Sequence, residues 1–300
     1  MQPILNYIKH PASLCDSLLR HFGQWLPDSL YIKLQYRFYM GSWIDFNNPK
    51  TFNEKLQWLK LKNRRKDYSI MVDKYSVKNY VADIIGDKHI IPTLGVWNRA
   101  EDIEWDSLPN QFVLKTTNGG GGSGVVICRD KSNFDYQDAI NKLNNSLKSD
   151  IYRKYREWPY KNVKKQIIAE DYLNVESEDL RDYKFFCFNG KVRVFKVDYN
   201  RFINHNANYY DKDGVLLPFG ESCCLPDPRQ EIILPPTIKE MISLAEKVAD
   251  GNPFMRVDFY DCCGKIYFGE ITFYPAGGLG RFEPEEWDNI LGGWLELPKL

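Results

Sequence analysis

Hydrophobic residues recur at helical spacing through the first third of the chain and at alternate positions over most of the rest. In SVKNYVADII, Val77, Tyr80, Val81, Ile84 and Ile85 share one face of a 3.6-residue period, and Gly86 is placed to cap the helix end. NNPKTFNEKLQWL sets Thr51 three residues before Glu54, a reciprocal capping pattern, with Leu56, Leu59 and Leu61 following. Leu18, Leu19, Phe22, Trp25 and Leu26 form an earlier amphipathic stretch. Its polar side is not notably basic, so packing on the body of the protein is expected rather than contact with a membrane surface. Residues 1 to about 110 are therefore predicted to be helical.

From Phe112 the period shifts towards two. QFVLK and GVVICRD flank a glycine run as a hairpin, and residues 134 to 156 turn helical again. KKQIIAEDYL reads as a strand. DYKFFCFNGKVRVFKVD reads as a hairpin turning on Asn189-Gly190, a pair suited to the positive φ of a tight turn. TIKEMISLAEKVAD is a helix ending before Gly251, and PFMRVDFYDCCGKIYFGEITFYP is a further hairpin. Strands arriving as hairpins with helices between them predict an α+β fold of antiparallel sheets with flanking helices.

The chain has 300 residues, 43% of them hydrophobic, enough for one or two domains with a real core. Forty Lys and Arg balance forty Asp and Glu, which removes any overall reason to expect a nucleic-acid partner. The N-terminus is broken by Lys9, His10, Pro11, Asp16 and Arg20 and does not read as a signal peptide. No stretch is long and apolar enough to span a bilayer, so a cytoplasmic protein is expected. Seven scattered cysteines, with the adjacent pairs Cys223-Cys224 and Cys262-Cys263, do not resemble a disulfide framework. With no C-x-x-C and four histidines outside any ligand-like cluster, zinc is the weaker reading of these cysteines beside reduced thiols.

The glycine run, NGGGGSG, meets G-x-G-x-x-G through Gly119, Gly121 and Gly124. A dinucleotide fold needs a helix directly afterwards, and VVIC is a strand; a Walker loop needs Lys and Ser or Thr where Val125 and Val126 stand. The protein-kinase pattern needs downstream segments that are absent. There remains a hairpin loop whose bare backbone can cradle phosphates, with Lys115 just upstream, or else a surface turn. Four consecutive glycines lose much backbone entropy on ordering, which favours the phosphate reading.

In the last hairpin, alternation puts Arg256 and Asp258 on one face and Glu270 and Thr272 on one face of the returning strand. A turn centred on Gly264 sets Asp258 opposite Glu270. Two carboxylates that close require a cation, for which Mg²⁺ is the usual choice beside phosphates; an Arg256–Asp258 ion pair with a solvated Glu270 is the alternative. In IIAEDYL, a purine edge could bond to Glu170 and to the main chain of Asp171, Tyr172 and Leu173, or the segment is simply a strand end. Asp182 and Lys184 share a face, so Lys184 is either a second phosphate cation or half of a surface pair.

This order of features resembles the ATP-grasp superfamily. More closely, TFNEKLQWLKL, DKYSVKNYV, LKTTNGGGGSG, DYKFFCFNGKV, RVDFYD and FGEITFYPAGG resemble its TupA-like, teichuronopeptide-biosynthesis type, over roughly residues 40 to 290. The resemblance implies a helical N-terminal and pre-grasp region over 1–110, a lid subdomain over 111–180 and a core subdomain over 181–300. It implies ATP and Mg²⁺ as cofactors and carboxylate–amine ligation through an acyl phosphate, joining an amino acid or other amine to a uronic-acid sugar for surface polysaccharide, in contact with membrane-bound polysaccharide machinery. Lys115 and Lys184 would bind phosphates under a lid of Gly119, Gly120, Gly121, Gly122, Ser123 and Gly124. Glu170 and Leu173 would hold adenine, with Glu176 or Glu178 on the ribose. Asp258 and Glu270 would bind Mg²⁺, and Arg256 would face the reacting carboxyl. Thr272 stands where many ATP-grasp enzymes place Asn, which leaves its metal role open.

Two competing readings remain. Asp211 and Asp213 in YYDKDGVLL form the D-x-D of metal-dependent glycosyltransferases, although before a glycine the aspartates also suit a turn. A non-catalytic nucleotide-binding protein is the other. RFINHNANYY, with Arg201, Asn204, His205 and Asn206, is a substrate-contacting loop or a solvated turn, and His205 a candidate general base.

Overall fold

The computed structural model describes residues 11–120, 122, 124–173, 180–199, 205–227 and 229–299, with side chains from residue 14 onward. The helices before the first sheet are α1 (Pro11–Phe22), α2 (Asp28–Met40), α3 (Phe52–Lys62), α4 (Tyr68–Val72) and α5 (Ser76–Ile85). Then come β1 (Thr93–Trp97), β2 (Phe112–Thr116), β3 (Val125–Cys128), α6 (Tyr136–Leu147), α7 (Ile151–Tyr155) and β4 (Ile167–Asp171). The C-terminal half holds β5 (Asp182–Phe188), β6 (Lys191–Tyr199), β7 (Asn206–Asp211), β8 (Gly220–Glu221), α8 (Ile238–Ala249), β9 (Phe254–Cys262), β10 (Lys265–Thr272), β11 (Phe282–Glu283) and α9 (Glu286–Trp294).

Both large sheets are antiparallel: four strands in the order β1-β4-β2-β3, and five in the order β10-β9-β5-β6-β7. The α+β expectation holds. All three anticipated hairpins form, because their signals are local. Asn189 and Gly190 turn with φ of 49° and 76°, Cys263 and Gly264 with 53° and 83°. One strand escaped the pattern reading. TLGVW lies in the stretch predicted helical, yet it pairs with β4 from Thr93↔Glu170 to Trp97↔Ile167. Its five residues include a glycine and give too short a run to show alternation.

The larger core joins α3, α4, α5, α8 and α9 to the five-stranded sheet, and a second core packs α6 on the four-stranded sheet. The N-terminal amphipathic stretch packs only in part. Leu19 is buried, but Leu18 and Phe22 are exposed and Trp25 is 81% exposed, which corrects the expectation that this face is covered by the body.

Helix α3 carries the reciprocal cap, with Glu54 N–H donating to Thr51 Oγ1 and Thr51 N–H to Glu54 Oε2. Its polar residues Asn53, Gln57 and Lys60 are buried rather than solvated. They donate to main-chain carbonyls of the loop after β10: Asn53 to Gly280, Gln57 to Gly278 and Lys60 to Gly277. Burial draws the Lys60 ammonium down to about 8 and pushes the Glu157 carboxyl up to about 7, with each charge only partly offsetting the other's desolvation. A carboxyl raised in the folded state favours folding below its unfolded value of 4.5 and loses that advantage as pH climbs to about 7. Across this window, urea unfolding should show the wild type losing stability relative to Glu157→Gln as pH rises. Parallel curves would mean that Glu157 stays ionised throughout.

Candidate active site

Strand pairing assembles a charged face on the five-stranded sheet. Directly opposite residues share a face, so the register Tyr209, Lys196, Lys184, Asp258, Glu270 forms one rung across β7, β6, β5, β9 and β10. The neighbouring rungs carry Asp182 opposite Asp198, and Phe186, Arg256 and Thr272 in line. Like charges set directly opposite repel, and here the repulsion is relieved diagonally. Lys184 Nζ pairs with Asp182 and lies 3.3 Å from Asp198 and 3.2 Å from Asp258, while Lys196 Nζ lies 3.4 Å from Asp198 and 2.9 Å from Glu221.

The facing of Asp258 and Glu270 arises differently from the symmetric hairpin expected. The turn at Cys263-Gly264 pairs Lys265 with Cys262, a register that would set Asp258 against residue 269. A bulge between Phe268 and Glu270 shifts the pairing by one residue. Gly269 sits in that bulge, where an added Cβ would lie 3.1 Å from the Asp258 carbonyl oxygen.

Arg256 bridges the acids. Its Nε donates to Asp258 Oδ1 at 2.7 Å, and its Nη2 donates to Asp258 Oδ2 at 2.7 Å and Glu270 Oε1 at 2.9 Å. The Arg256–Asp258 ion pair is thus present, but Glu270 is bridged by Arg256 and Lys74 rather than left to solvent. Burial alone would raise the Glu270 carboxyl, but Lys74, Arg256 and Lys184 outweigh it and hold the group well below the usual carboxylate range. Burial would lower the Lys184 ammonium, yet Asp182, Asp258 and Asp198 drive it up. The two acids share a cation at contact distance, and Thr272 Oγ1 lies 3.4 Å from Glu270 Oε1. This all-oxygen set fits Mg²⁺ if Arg256 yields one of its bridging contacts.

Two lysines that the pattern reading passed over tie this face to the four-stranded sheet. Lys74 Nζ donates to the Gly119 carbonyl at 2.6 Å and lies 3.2 Å from Glu270 Oε2, so one side chain links the glycine loop to the acidic ribbon. Lys78 Nζ lies 2.5 Å from Glu170 Oε1 and also donates to the Ile91 carbonyl, while Lys115 Nζ lies 2.6 Å from Glu170 Oε2. Glu170 is thus held between two cations, its carboxyl lowered by them against the opposing effect of burial. In DKYSVKNYV, Lys78 lies in the first turn of α5 and Lys74 in the turn just before that helix.

Gly119 and Gly124 are required by packing. Thr116 Oγ1 and Ser146 Oγ hydrogen-bond at 2.7 Å beneath the loop. A Cβ on Gly124 would lie 2.2 Å from the first and 2.3 Å from the second, whereas one on Gly120 meets only Ile151 Cδ1 at 3.5 Å. Gly124→Ala should cost ~1–3 kcal/mol of stability and Gly120→Ala close to nothing, as read by urea denaturation. Equal effects would rule out this packing.

Asp171, Tyr172 and Leu173 line a cavity of about 440 Å³ together with Cys262, Lys265 and Tyr267 from the tip of the β9–β10 hairpin. That volume lies within the ~300–1,000 Å³ range of small-molecule sites. Asp211 faces away from any such role: its Oδ1 accepts from Asp213 N–H and Val215 N–H, which is turn-capping. His205 Nε2 stands 3.3 Å from Asp198. Gly121, Ser123, Glu176, Glu178, Arg201 and Asn204 lie outside the described residues.

Two antiparallel sheets with a glycine-rich hairpin loop, converging lysines and facing acids are the features of an ATP-grasp fold. The chain belongs to the TupA-like ATP-grasp family, whose model matches residues 54–296. No curated protein matches it. Among solved structures it is similar to a D-alanine–D-alanine ligase from Helicobacter pylori, at 15% identity and a TM-score of 0.41 over 82% of this chain and 69% of that one. It is also similar to a D-alanine–D-alanine ligase from Bacillus anthracis, at 17% identity and a TM-score of 0.37 over 75% of this chain and 60% of that one. A RimK domain ATP-grasp protein from Sphaerobacter thermophilus gives 8% identity and a TM-score of 0.41 over 76% of this chain and 69% of that one. The chain thus spans only 60% of the Bacillus ligase and 69% of the other two.

Proposed function

We propose that this protein is an ATP- and Mg²⁺-dependent carboxylate–amine ligase that activates a sugar carboxylate, of uronic-acid type, as an acyl phosphate and joins it to an amino acid or other amine. The observation that carries the ligase reading is Lys74, whose ammonium touches both the glycine loop at Gly119 and the acid ribbon at Glu270. A triphosphate clasped between the two elements needs them this close together.

In this reading the base enters the cavity beside Asp171, Tyr172 and Leu173, where main-chain groups can read its edge. Lys115 and Lys78 are turned towards Glu170 and swing to the phosphates as these enter, leaving Glu170 to the exocyclic amine of the base. Gly120 and its neighbours close over the terminal phosphate. Lys184, fixed by three carboxylates, presents its charge with little freedom left to lose, which is the preorganisation that transition-state stabilisation needs. Asp258 and Glu270, with Thr272 beside them, would hold Mg²⁺, which when bound neutralises charge on the phosphoryl oxygens. Arg256 then exchanges one carboxylate contact for the oxyanion that forms when the amine attacks. Exposed Leu18, Phe22 and Trp25 would serve peripheral contact with membrane-bound polysaccharide machinery.

The full chain should be incubated with ATP, Mg²⁺, uronic-acid acceptors and mixed amino acids. ADP, phosphate and an amide product in equal amounts are expected. Sugar transfer from a nucleotide donor would support a glycosyltransferase, and ATP binding without turnover a non-catalytic protein.

A further inference from the structure

The polar face continues past Lys184 to a cluster that the ligase chemistry does not use. His205 Nε2 lies 3.3 Å from Asp198 Oδ1. Cys224 Sγ lies 3.6 Å from Glu221 Oε2 and 3.5 Å from Cys223 Sγ, which is itself 3.8 Å from Glu221 Oε2. The ligating atoms of Asp198, His205 and Cys224 all fall within 4.8 Å of one another, as do those of Glu221, Cys223 and Cys224. We propose that Asp198, His205, Glu221 and Cys224 form a Zn²⁺ site, open to solvent on the side of His205 and Cys223 and separate from the Asp258–Glu270 pair.

Three observations point to this ion. Zinc bonds of 2.0–2.3 Å in tetrahedral array space their ligand atoms roughly 3.3–3.8 Å apart; the His205–Asp198 separation of 3.3 Å and the Cys224–Glu221 separation of 3.6 Å match that spacing, and the ligating atoms of Asp198, His205 and Cys224 lie within 4.8 Å of one another. A thiolate and an imidazole beside two carboxylates favour a borderline metal such as zinc over Mg²⁺ or Ca²⁺. The charge also closes. Zinc with two carboxylates, one thiolate and a neutral imidazole leaves one negative charge, and Lys196 Nζ, 2.9 Å from Glu221 and 3.4 Å from Asp198, supplies the matching positive one. Asp198, Glu221 and Cys224 are buried, whereas Cys223 is exposed and the His205 side chain is 37% exposed, which provides a path for the ion.

Motif spacing could not find such a set. Asp198 ends β6, His205 precedes β7, and Glu221 and Cys224 flank the turn after β8. Only strand pairing brings the three places together. Asp198 is also 3.3 Å from Lys184, so an ion here would draw on a carboxylate that helps to fix that lysine.

The test uses the full-length chain stripped with chelator and titrated with Zn²⁺ against a chromophoric chelator, with Co²⁺ titrated in parallel. One equivalent of Zn²⁺ is expected, together with a thiolate-to-cobalt charge-transfer band and protection of Cys224 from thiol reagents. His205→Ala, at a half-exposed position that should leave folding intact, and Cys224→Ser should each weaken binding by more than ~100-fold. Asp258→Asn and Cys263→Ser should keep the full equivalent. Absence of the charge-transfer band, unchanged affinity in both His205→Ala and Cys224→Ser, or loss of the ion in Asp258→Asn would each overturn the proposal.

Discussion

Asp258→Asn and Glu270→Gln should each lower ATP-dependent turnover by roughly 10²- to 10³-fold, the scale of removing one preorganised charge from a reacting centre, while leaving a folded protein. Both substitutions keep the shape of the side chain and delete its charge. Asp258 is the more buried of the two and meets Arg256 through two hydrogen bonds and Lys184 at 3.2 Å. Its loss leaves Lys74, Lys184, Lys196 and Arg256 facing Asp182, Asp198, Glu221 and Glu270, an even balance that a fold can tolerate. Glu270 keeps its ionised form far into acid because Lys74, Arg256 and Lys184 surround it. Loss of activity in Glu270→Gln is therefore a loss of charge at every pH of interest. ADP release measured against Mg²⁺ concentration checks both variants. Unchanged turnover, or turnover that persists in wild type with chelator present, would remove the pair from the site.

Lys184→Met should destabilise the chain by ~3–5 kcal/mol, the cost of removing one partner from a buried ion cluster. Lys184 is the shared cation of Asp182, Asp198 and Asp258, all of them buried. The deficit should depend on pH. Burial already holds the Asp258 carboxyl above its usual value, and without the opposing Lys184 ammonium it rises further in the folded state. Such groups stabilise the folded state below the unfolded value and stop doing so as pH rises through the folded one. The gap from wild type should accordingly narrow as pH is lowered into the acid range. Urea denaturation at several pH values measures it, and a variant as stable as wild type near neutrality would mean that the three acids find other partners.

Much of this organisation could be read from residue order. Alternation and turn residues located the hairpins, because strand period and turn conformation depend on neighbours a few positions away. The shared face of Asp182 and Lys184 and the facing of Asp258 and Glu270 followed from the same rule. That second inference, however, reached the right pair through a register that the turn does not set, with the offset made up by the bulge at Gly269. Gly119 and Gly124 looked like bare backbone for a ligand, and their close approach to Thr116 and Ser146 depends on α6 packing beneath the loop.

Local spacing along the chain was enough for the α+β class, the hairpins and the inventory of charged side chains, since each rests on periodicity or on turn stereochemistry. Folding in three dimensions alone chose the partners. Lys74 reaches Glu270, Lys78 reaches Glu170, Lys196 reaches Glu221 and His205 approaches Asp198, because sheet pairing and helix packing bring together residues whose separation along the chain carries no signal of contact. A lysine's pattern in sequence is the same whether it ends in water or in a buried carboxylate cage, and the surrounding fold supplies the difference.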